Sequence, residues 1–194
     1  MNNKKLVLAS ASPRRQELLE MLGIDLIIEP SGIDESYRPG ESPRDHALRL
    51  SLEKARDVAE KYPGLWVLGA DTIVVVDSEV LGKPEGREDA RQMLLKLSGR
   101  EHLVITAFAL VLRQTGVEYS RAVESRVTFN ALTEDELRWY LETGEPYDKA
   151  GAYAVQGKAA AFIKELRGSH TNVIGLPLSE VVEALRKTGA MKLC

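Results

Sequence analysis

A chain of 194 residues is long enough to bury a substantial core, and 44% hydrophobic with 28% charged residues is the composition of an ordinary globular protein. A formal net charge of −3 and a pI near 5.7 exclude a chain whose main business is coating nucleic acid or an anionic membrane. The single cysteine, Cys194, excludes a disulfide framework and a thiolate metal cluster. Residues Met1 to Lys5 lead into only four apolar residues, too few for a signal peptide, and no later stretch approaches a membrane span, so a cytoplasmic protein is the expectation.

In chain order, Leu6 to Ala9 is an apolar run of strand length. Ser10 to Pro13 interrupts it, and Leu18, Leu19 and Leu22 then recur at helical spacing, with Ser12 placed as N-cap, Pro13 at the first helical position and Gly23 as C-terminal cap. Arg14 and Arg15 fall in the first turn, where exposed cations oppose the helix dipole at roughly 0.3–1 kcal/mol each. Either both point into water, or they reinforce the anion site that a helix N-terminus offers. Ile24 to Glu29 reads as a strand and Ser31 to Tyr37 as a polar loop. Ser42 and Pro43 open a helix that runs to about Tyr62, with Lys54 at the border of its apolar face, where a lysine usually buries its stem and keeps its head in water.

Leu65 to Val76 is a near-continuous apolar run of strand type, interrupted by Asp71 and Thr72. Val80 to Pro84 reads as a short strand and turn, and Arg87 to Leu97 as a helix with Ala90, Met93, Leu94 and Leu97 on one stripe. His102–Leu112 and Val117–Ala131 are strands joined by a hairpin-like turn, and Thr133 to Glu136 has the spacing of a capping box. Short strands are expected at Tyr153–Gln156 and Ala160–Leu166, a polar loop at Gly168–Gly175 and a last helix from Pro177. Mixed strands and helices make the class α/β.

Asp71 is the foremost candidate for chemistry. Its strand face otherwise carries Val67, Gly69, Ile73 and Val75, and a buried carboxylate must change protonation or acquire a cation. Gly69 beside it makes room for a ligand or for another backbone. Lys83 stands on a glycine turn, and Glu35 offers a second carboxylate to a hard divalent cation, although either alone is an ordinary loop charge. Gln156 carries both donor and acceptor, which suits reading a nucleobase or capping a turn. No P-loop, dinucleotide fingerprint or serine elbow is present, and His46, His102 and His170 lack metal-ligand spacing. Arginines at a helix start, carboxylates and lysines remain, which is the equipment of metal-assisted phosphate chemistry.

Taken together, LVLASASPRRQELLEMLG (Leu6–Gly23), DES (Asp34–Ser36), LSLEKA (Leu50–Ala55), VLGADTIV (Val67–Val74), LGKP (Leu81–Pro84), EPYDKAGAYAVQG (Glu145–Gly157) and GSHTNVIGLPL (Gly168–Leu178) resemble the Maf family of nucleoside triphosphate pyrophosphatases. The resemblance spans nearly the whole chain and implies a single Maf-like domain over residues 1–194. It implies an α/β fold with a long mixed central sheet flanked by helices and two lobes around a cleft, like that of inosine triphosphate pyrophosphatases. It implies hydrolysis of a triphosphate between its α and β phosphates with Mg2+ or Mn2+. Carried over by position, Asp71 would activate water or hold the metal, Glu35 would share the metal, and Ser10, Arg14 and Arg15 would cradle phosphates. Lys54 and Lys83 would neutralise developing charge. Arg14, Thr72 and Gln156 match the trio of the branch acting on dTTP and UTP, which implies a pyrimidine preference that includes modified bases. A homodimer is a further expectation from the family, with no nucleic-acid or membrane partner. A nucleotide-binding regulator of septum formation, acting without turnover, is the alternative. The sequence departs from the family pattern at His170, where tyrosine is expected, and at Ala107-Phe108, where a glycine usually follows Thr106.

Overall fold

The first apolar run forms β1 (Leu6–Leu8), with all three side chains buried. The protein, seen here as a computed structural model, is described over residues 5–190; Cys194 and the first four residues lie outside that range. After β1 come α1 (Pro13–Glu20), β2 (Leu26–Ile28), α2 (Pro43–Ala59), β3 (Trp66–Val76), β4 (Glu79–Leu81) and α3 (Arg87–Leu97). Then follow β5 (Glu101–Leu112), β6 (Val117–Phe129), α4 (Glu134–Leu141), β7 (Ile163–Arg167), α5 (His170–Ile174) and α6 (Leu178–Lys187). The strands form one seven-stranded sheet in the order β2-β1-β3-β5-β6-β7, with β4 paired to β3. The sheet is mixed: β1 runs parallel to β2 and β3, whereas β3–β4 and β6–β7 are antiparallel. Among the described residues no helix is long and apolar enough to cross a membrane.

The chain divides into two compact units. The first comprises Met1–Asp71, Thr106–Val123 and Gly175–Cys194. In it Val7, Ala9, Val67, Ala109 and Val111 pack with Ala55, Val58 and Ala59 of α2. Ala107 and Phe108, one of the two departures from the family pattern, are fully buried core residues of β5.

The second unit comprises Thr72–Ile105 and Glu124–Ile174. Its core joins the stripe Ala90, Met93, Leu94 and Leu97 of α3 to Val104, Phe129, Leu137, Tyr140, Tyr153 and Phe162. Thr133 and Glu136 form the expected capping box, each side chain bonding the other's backbone N–H. Asp77 and Ser78, both at positive φ, make the two-residue turn of the β3–β4 hairpin. His102 bonds the Tyr153 hydroxyl at 2.8 Å, and burial pushes the imidazole down to about 4, so it stays neutral at physiological pH.

Three stretches differ from the sequence expectation. Tyr153–Gln156 is no strand, because Gly151 and Ala152 both take positive φ and Ala154 to Gly157 close a turn through a 3.2 Å bond from the Gly157 N–H to the Ala154 carbonyl. The expected strand at Ala160–Leu166 begins only at Ile163, after a 3-10 segment over Lys158–Phe162. The expected polar loop at Gly168–Gly175 contains α5, whose Asn172 is fully buried and donates to the Val104 carbonyl and to Ser125 Oγ. Its polar residues are polar because they bond inside the unit. His170, the other departure, is exposed at the start of α5.

Candidate functional site

Asp71 lies on β3 with 7% of its surface exposed, and a carboxylate that buried needs a cation. The cation is Lys54. Its ammonium lies 2.8 Å from Asp71 Oδ1, and Lys54 is itself only 8% exposed. Lys54 therefore does not snorkel to water as a helix-border lysine usually does; the facing carboxylate draws it inward.

Gly69 makes this approach possible. A Cβ at position 69 would stand 2.2 Å from the Ser51 carbonyl oxygen and 2.7 Å from the Ala55 nitrogen, so the room made by the glycine is taken by the α2 backbone. Helix α2 is thus seated directly on the face of β3 that carries Asp71, with Lys54 one residue before the contact at Ala55. Neither clashing atom is the end of a flexible side chain. Gly69→Ala is expected to lower the unfolding free energy by about 1–3 kcal/mol through overpacking, measured as a fall in the urea midpoint at unchanged slope.

Lys54 also reaches Glu35 Oε1 at 3.0 Å. Glu35 is 58% exposed, so this second ion pair adds little stability, on the order of 0–1 kcal/mol. What it does is bring two carboxylates to one cationic centre. The loop bearing Glu35 is held by its flanks. The Asp34 carboxylate accepts from the Ser36 N–H and hydroxyl, and Arg49 donates to the Ser36 carbonyl at 3.0 Å. Tyr37 stacks on the His46 ring with centroids 3.5 Å apart. Arg49 and His46 in turn hold Glu41 at 2.6 and 2.9 Å, and these bonds keep the Glu41 carboxyl down at about 2. Burial, with the Asp71 and Glu41 charges, pushes the Tyr37 hydroxyl up to about 12.

At the start of α1, Arg15 is tied rather than solvated. Its Nη1 donates to Ser10 Oγ at 3.0 Å and its Nε to the Gly175 carbonyl at 2.9 Å. Ser12 stands at the N-cap without a side-chain bond; instead its N–H donates to Ser10 Oγ. Burial lowers the Arg15 pKa, the Asp71 charge raises it, Arg14 lowers it and Glu35 raises it. The guanidinium remains charged. These couplings place Arg15 within electrostatic reach of Arg14, Glu35 and Asp71. No acidic side chain occupies the first turn of α1 to satisfy its N-terminal charge.

The first unit therefore gathers Ser10, Arg14, Arg15, Glu35, Lys54 and Asp71. Thr72, Lys83 and Gln156 belong to the second unit. Thr72 is the one position of β3 that is half-buried while the others are buried. Lys83 is exposed on a turn fixed from both sides, since Gly82 accepts a 3.0 Å bond from the Gly151 N–H and Pro84 is buried. Gly151 is required there: its φ is +66° and a Cβ would meet Val74 at 3.0 Å. Gln156 is exposed at the third position of the turn that Gly157 closes. Among the described residues no group of three or more histidine, cysteine, aspartate or glutamate side chains is placed to hold a metal by itself.

The Maf-like protein family matches residues 5–188. This chain belongs to that family. A dTTP/UTP pyrophosphatase of Syntrophus aciditrophicus (strain SB) is 53% identical to it over 191 residues, covering 98% of this chain and 93% of the relative. Another dTTP/UTP pyrophosphatase, from Geobacter sp. (strain M21), is 52% identical over 98% of this chain and 99% of its own length. Among solved structures, a HAM1 protein from Coxiella burnetii has a TM-score of 0.53 at 18% identity, covering 95% of this chain and 99% of that one. The Staphylococcus aureus Ham1 protein has a TM-score of 0.55 at 12% identity, over 95% of this chain and 100% of that one. At such identity the structures establish a shared fold and nothing finer.

In this Maf-like chain the sequence pointed to each of these residues separately, but it missed what joins them. That Lys54 is the counter-ion of Asp71 had no local signal beyond its place at the edge of the apolar stripe. The Tyr37–His46–Glu41–Arg49 group that supports the Glu35 loop was also missed; only His46 and Arg49, three apart on α2, fall at a spacing that shares a helix face, and Glu41 lies before the helix.

Proposed function

We propose that this protein is a cytoplasmic, cation-dependent nucleoside triphosphate pyrophosphatase that hydrolyses dTTP and UTP, and their modified analogues, to the monophosphate and pyrophosphate. The observation that carries the proposal is the buried Lys54–Asp71 pair, with Glu35 on the same ammonium and the Arg15–Ser10 pair at the α1 N-terminus within electrostatic reach. Full-length identity above 50% to relatives named for this reaction supports the substrate.

The triphosphate is taken up at the α1 N-terminus, where the positive end of the helix, Ser10 and the two arginines favour anionic oxygens. Arg15 is preorganised for this by its bonds to Ser10 and Gly175. Water adds to the α-phosphorus, the bond to the bridging α–β oxygen breaks, and the water proton passes to the Asp71 carboxylate, which retains acceptor capacity while holding Lys54. Lys54 and Lys83 offset the charge that grows on the phosphoryl oxygens and on the departing pyrophosphate. Glu35 and Asp71 suit Mg2+ or Mn2+ as a donor set, since two carboxylate oxygens converge on one cation and such ions take one or two carboxylates with substrate phosphates. When bound, that ion would polarise the phosphoryl oxygens and acidify water. Arg14, Thr72 and Gln156 read the base.

The test is pyrophosphate release from dTTP, UTP, CTP, GTP, ATP and 7-methyl-GTP, with Mg2+ or Mn2+ and after chelation. Release chiefly from dTTP and UTP, abolished by chelator, is the expected outcome. Preference for 7-methyl-GTP would retain the enzyme and remove the base-reading trio. Binding of triphosphates without any turnover would shift the protein to the nucleotide-binding regulator.

A further inference from the structure

The stretch Glu145–Gly157 contains one candidate site residue, Gln156, and a carboxylate whose task the reaction leaves open. The backbone turn Ala154-Val155-Gln156-Gly157 is fastened at both ends by a single pair of side chains. After the turn, Glu145 Oε2 accepts from the Lys158 N–H at 2.9 Å and Oε1 accepts from the Ala159 N–H at 3.4 Å. Before the turn, the Ala154 N–H donates to the Tyr140 hydroxyl oxygen. The same hydroxyl donates to Glu145 Oε1 at 3.0 Å, closing the circuit. Burial and the adjacent Glu145 charge raise the Tyr140 pKa, so the hydroxyl keeps its proton to donate. Glu145 is itself fixed, because the Lys149 ammonium donates to its carbonyl at 2.7 Å.

Gly157 completes the arrangement. A Cβ at that position would lie 2.1 Å from Glu145 Oε1 and 2.5 Å from Oε2. Its φ of −105° is open to any residue, so the glycine is needed for space and not for backbone conformation. The carboxylate occupies the volume of the missing side chain and bonds the next two N–H groups.

We propose that Glu145 is a positioning residue for base selection, holding the turn so that the Gln156 amide meets the nucleobase at one fixed place. This rests on the assignment of Gln156 to base reading. A glutamine side chain has three rotatable bonds and an amide with both donors and acceptors, so alone it bonds many edges. Selectivity then comes from fixing its root, and the cost of ordering is met before substrate arrives. Glutamate suits the role because both oxygens only accept. Glutamine at 145 would turn an NH2 toward a backbone N–H.

The test measures kcat/KM for dTTP relative to GTP and CTP in Glu145→Gln, Gly157→Ala and Gln156→Ala, with each placed also in the Gln156→Ala background. Losing one or two such hydrogen bonds is expected to lower the dTTP preference about ten-fold in Glu145→Gln, mainly through KM for dTTP. Gly157→Ala displaces the carboxylate without altering it and should give the same loss, which keeps the test decisive if Glu145→Gln does not fold. Neither should lower the preference further once Gln156 is alanine. Equal losses on all three triphosphates, beside a Gln156→Ala that does lose preference, would overturn the positioning role and leave Gln156 as the reader. A Gln156→Ala enzyme with undiminished preference would remove the reader, and Glu145's role with it.

Discussion

Asp71→Asn lowers kcat for dTTP and UTP by about 10²–10⁴-fold, the range that a positioned proton acceptor contributes. The substitution keeps the shape of the side chain, and an amide oxygen can still accept from Lys54, so the fold should persist. What disappears is the negative charge, and with it the site for the water proton and one of two carboxylates facing Lys54. Initial rates of pyrophosphate release, with thermal unfolding of both proteins as the control, measure the effect. A variant that unfolds normally yet retains more than about a tenth of the wild-type rate would remove Asp71 from the reaction.

Lys54→Met has the largest expected effect on stability. It leaves Asp71 on β3 with its nearest cation gone, and breaking a buried pair from one side typically costs about 3–5 kcal/mol. The lower end applies here, because Arg15 is near enough for the Asp71 charge to act on it. Adding Asp71→Asn to Lys54→Met removes the stranded charge and should return most of the loss. Urea unfolding of the wild type, the two single variants and the double variant gives the coupling directly. A coupling under about 0.5 kcal/mol would mean that the 2.8 Å contact contributes nothing to the folded state. Lys54→Met should also be inactive on every triphosphate, whereas Glu145→Gln should only reduce the preference for dTTP.

Much of the fold was legible from local pattern. The helices at Pro13, Pro43, Arg87, Glu134 and Leu178 announced themselves by caps and apolar stripes, and β3 by its buried run. The failures share one cause. Tyr153–Gln156 looks like a strand by its apolar content, yet the Ala154 carbonyl accepts from the Gly157 N–H in a turn and the Ala154 N–H goes to Tyr140 instead of to a neighbouring strand. Gly168–Gly175 looks like a loop by its polarity, yet Asn172 is buried because Ser125 and Val104, far away in sequence, satisfy it. Polarity and apolarity predict burial only when the hydrogen-bond partner is local.

The sequence by itself determined the class, the placement of five helices, the resemblance to the Maf family and the identity of the charged residues, because these depend on neighbours a few positions apart. Tertiary structure alone decided which charges meet. The chain separates Lys54 from Asp71, Arg15 from Gly175, and Glu145 from Lys158, and no local periodicity reports a contact across such intervals. Those contacts depend on atoms that fit in space. Gly69 lets α2 lie on β3 so that an ammonium reaches a carboxylate, and Gly157 leaves the volume that Glu145 fills.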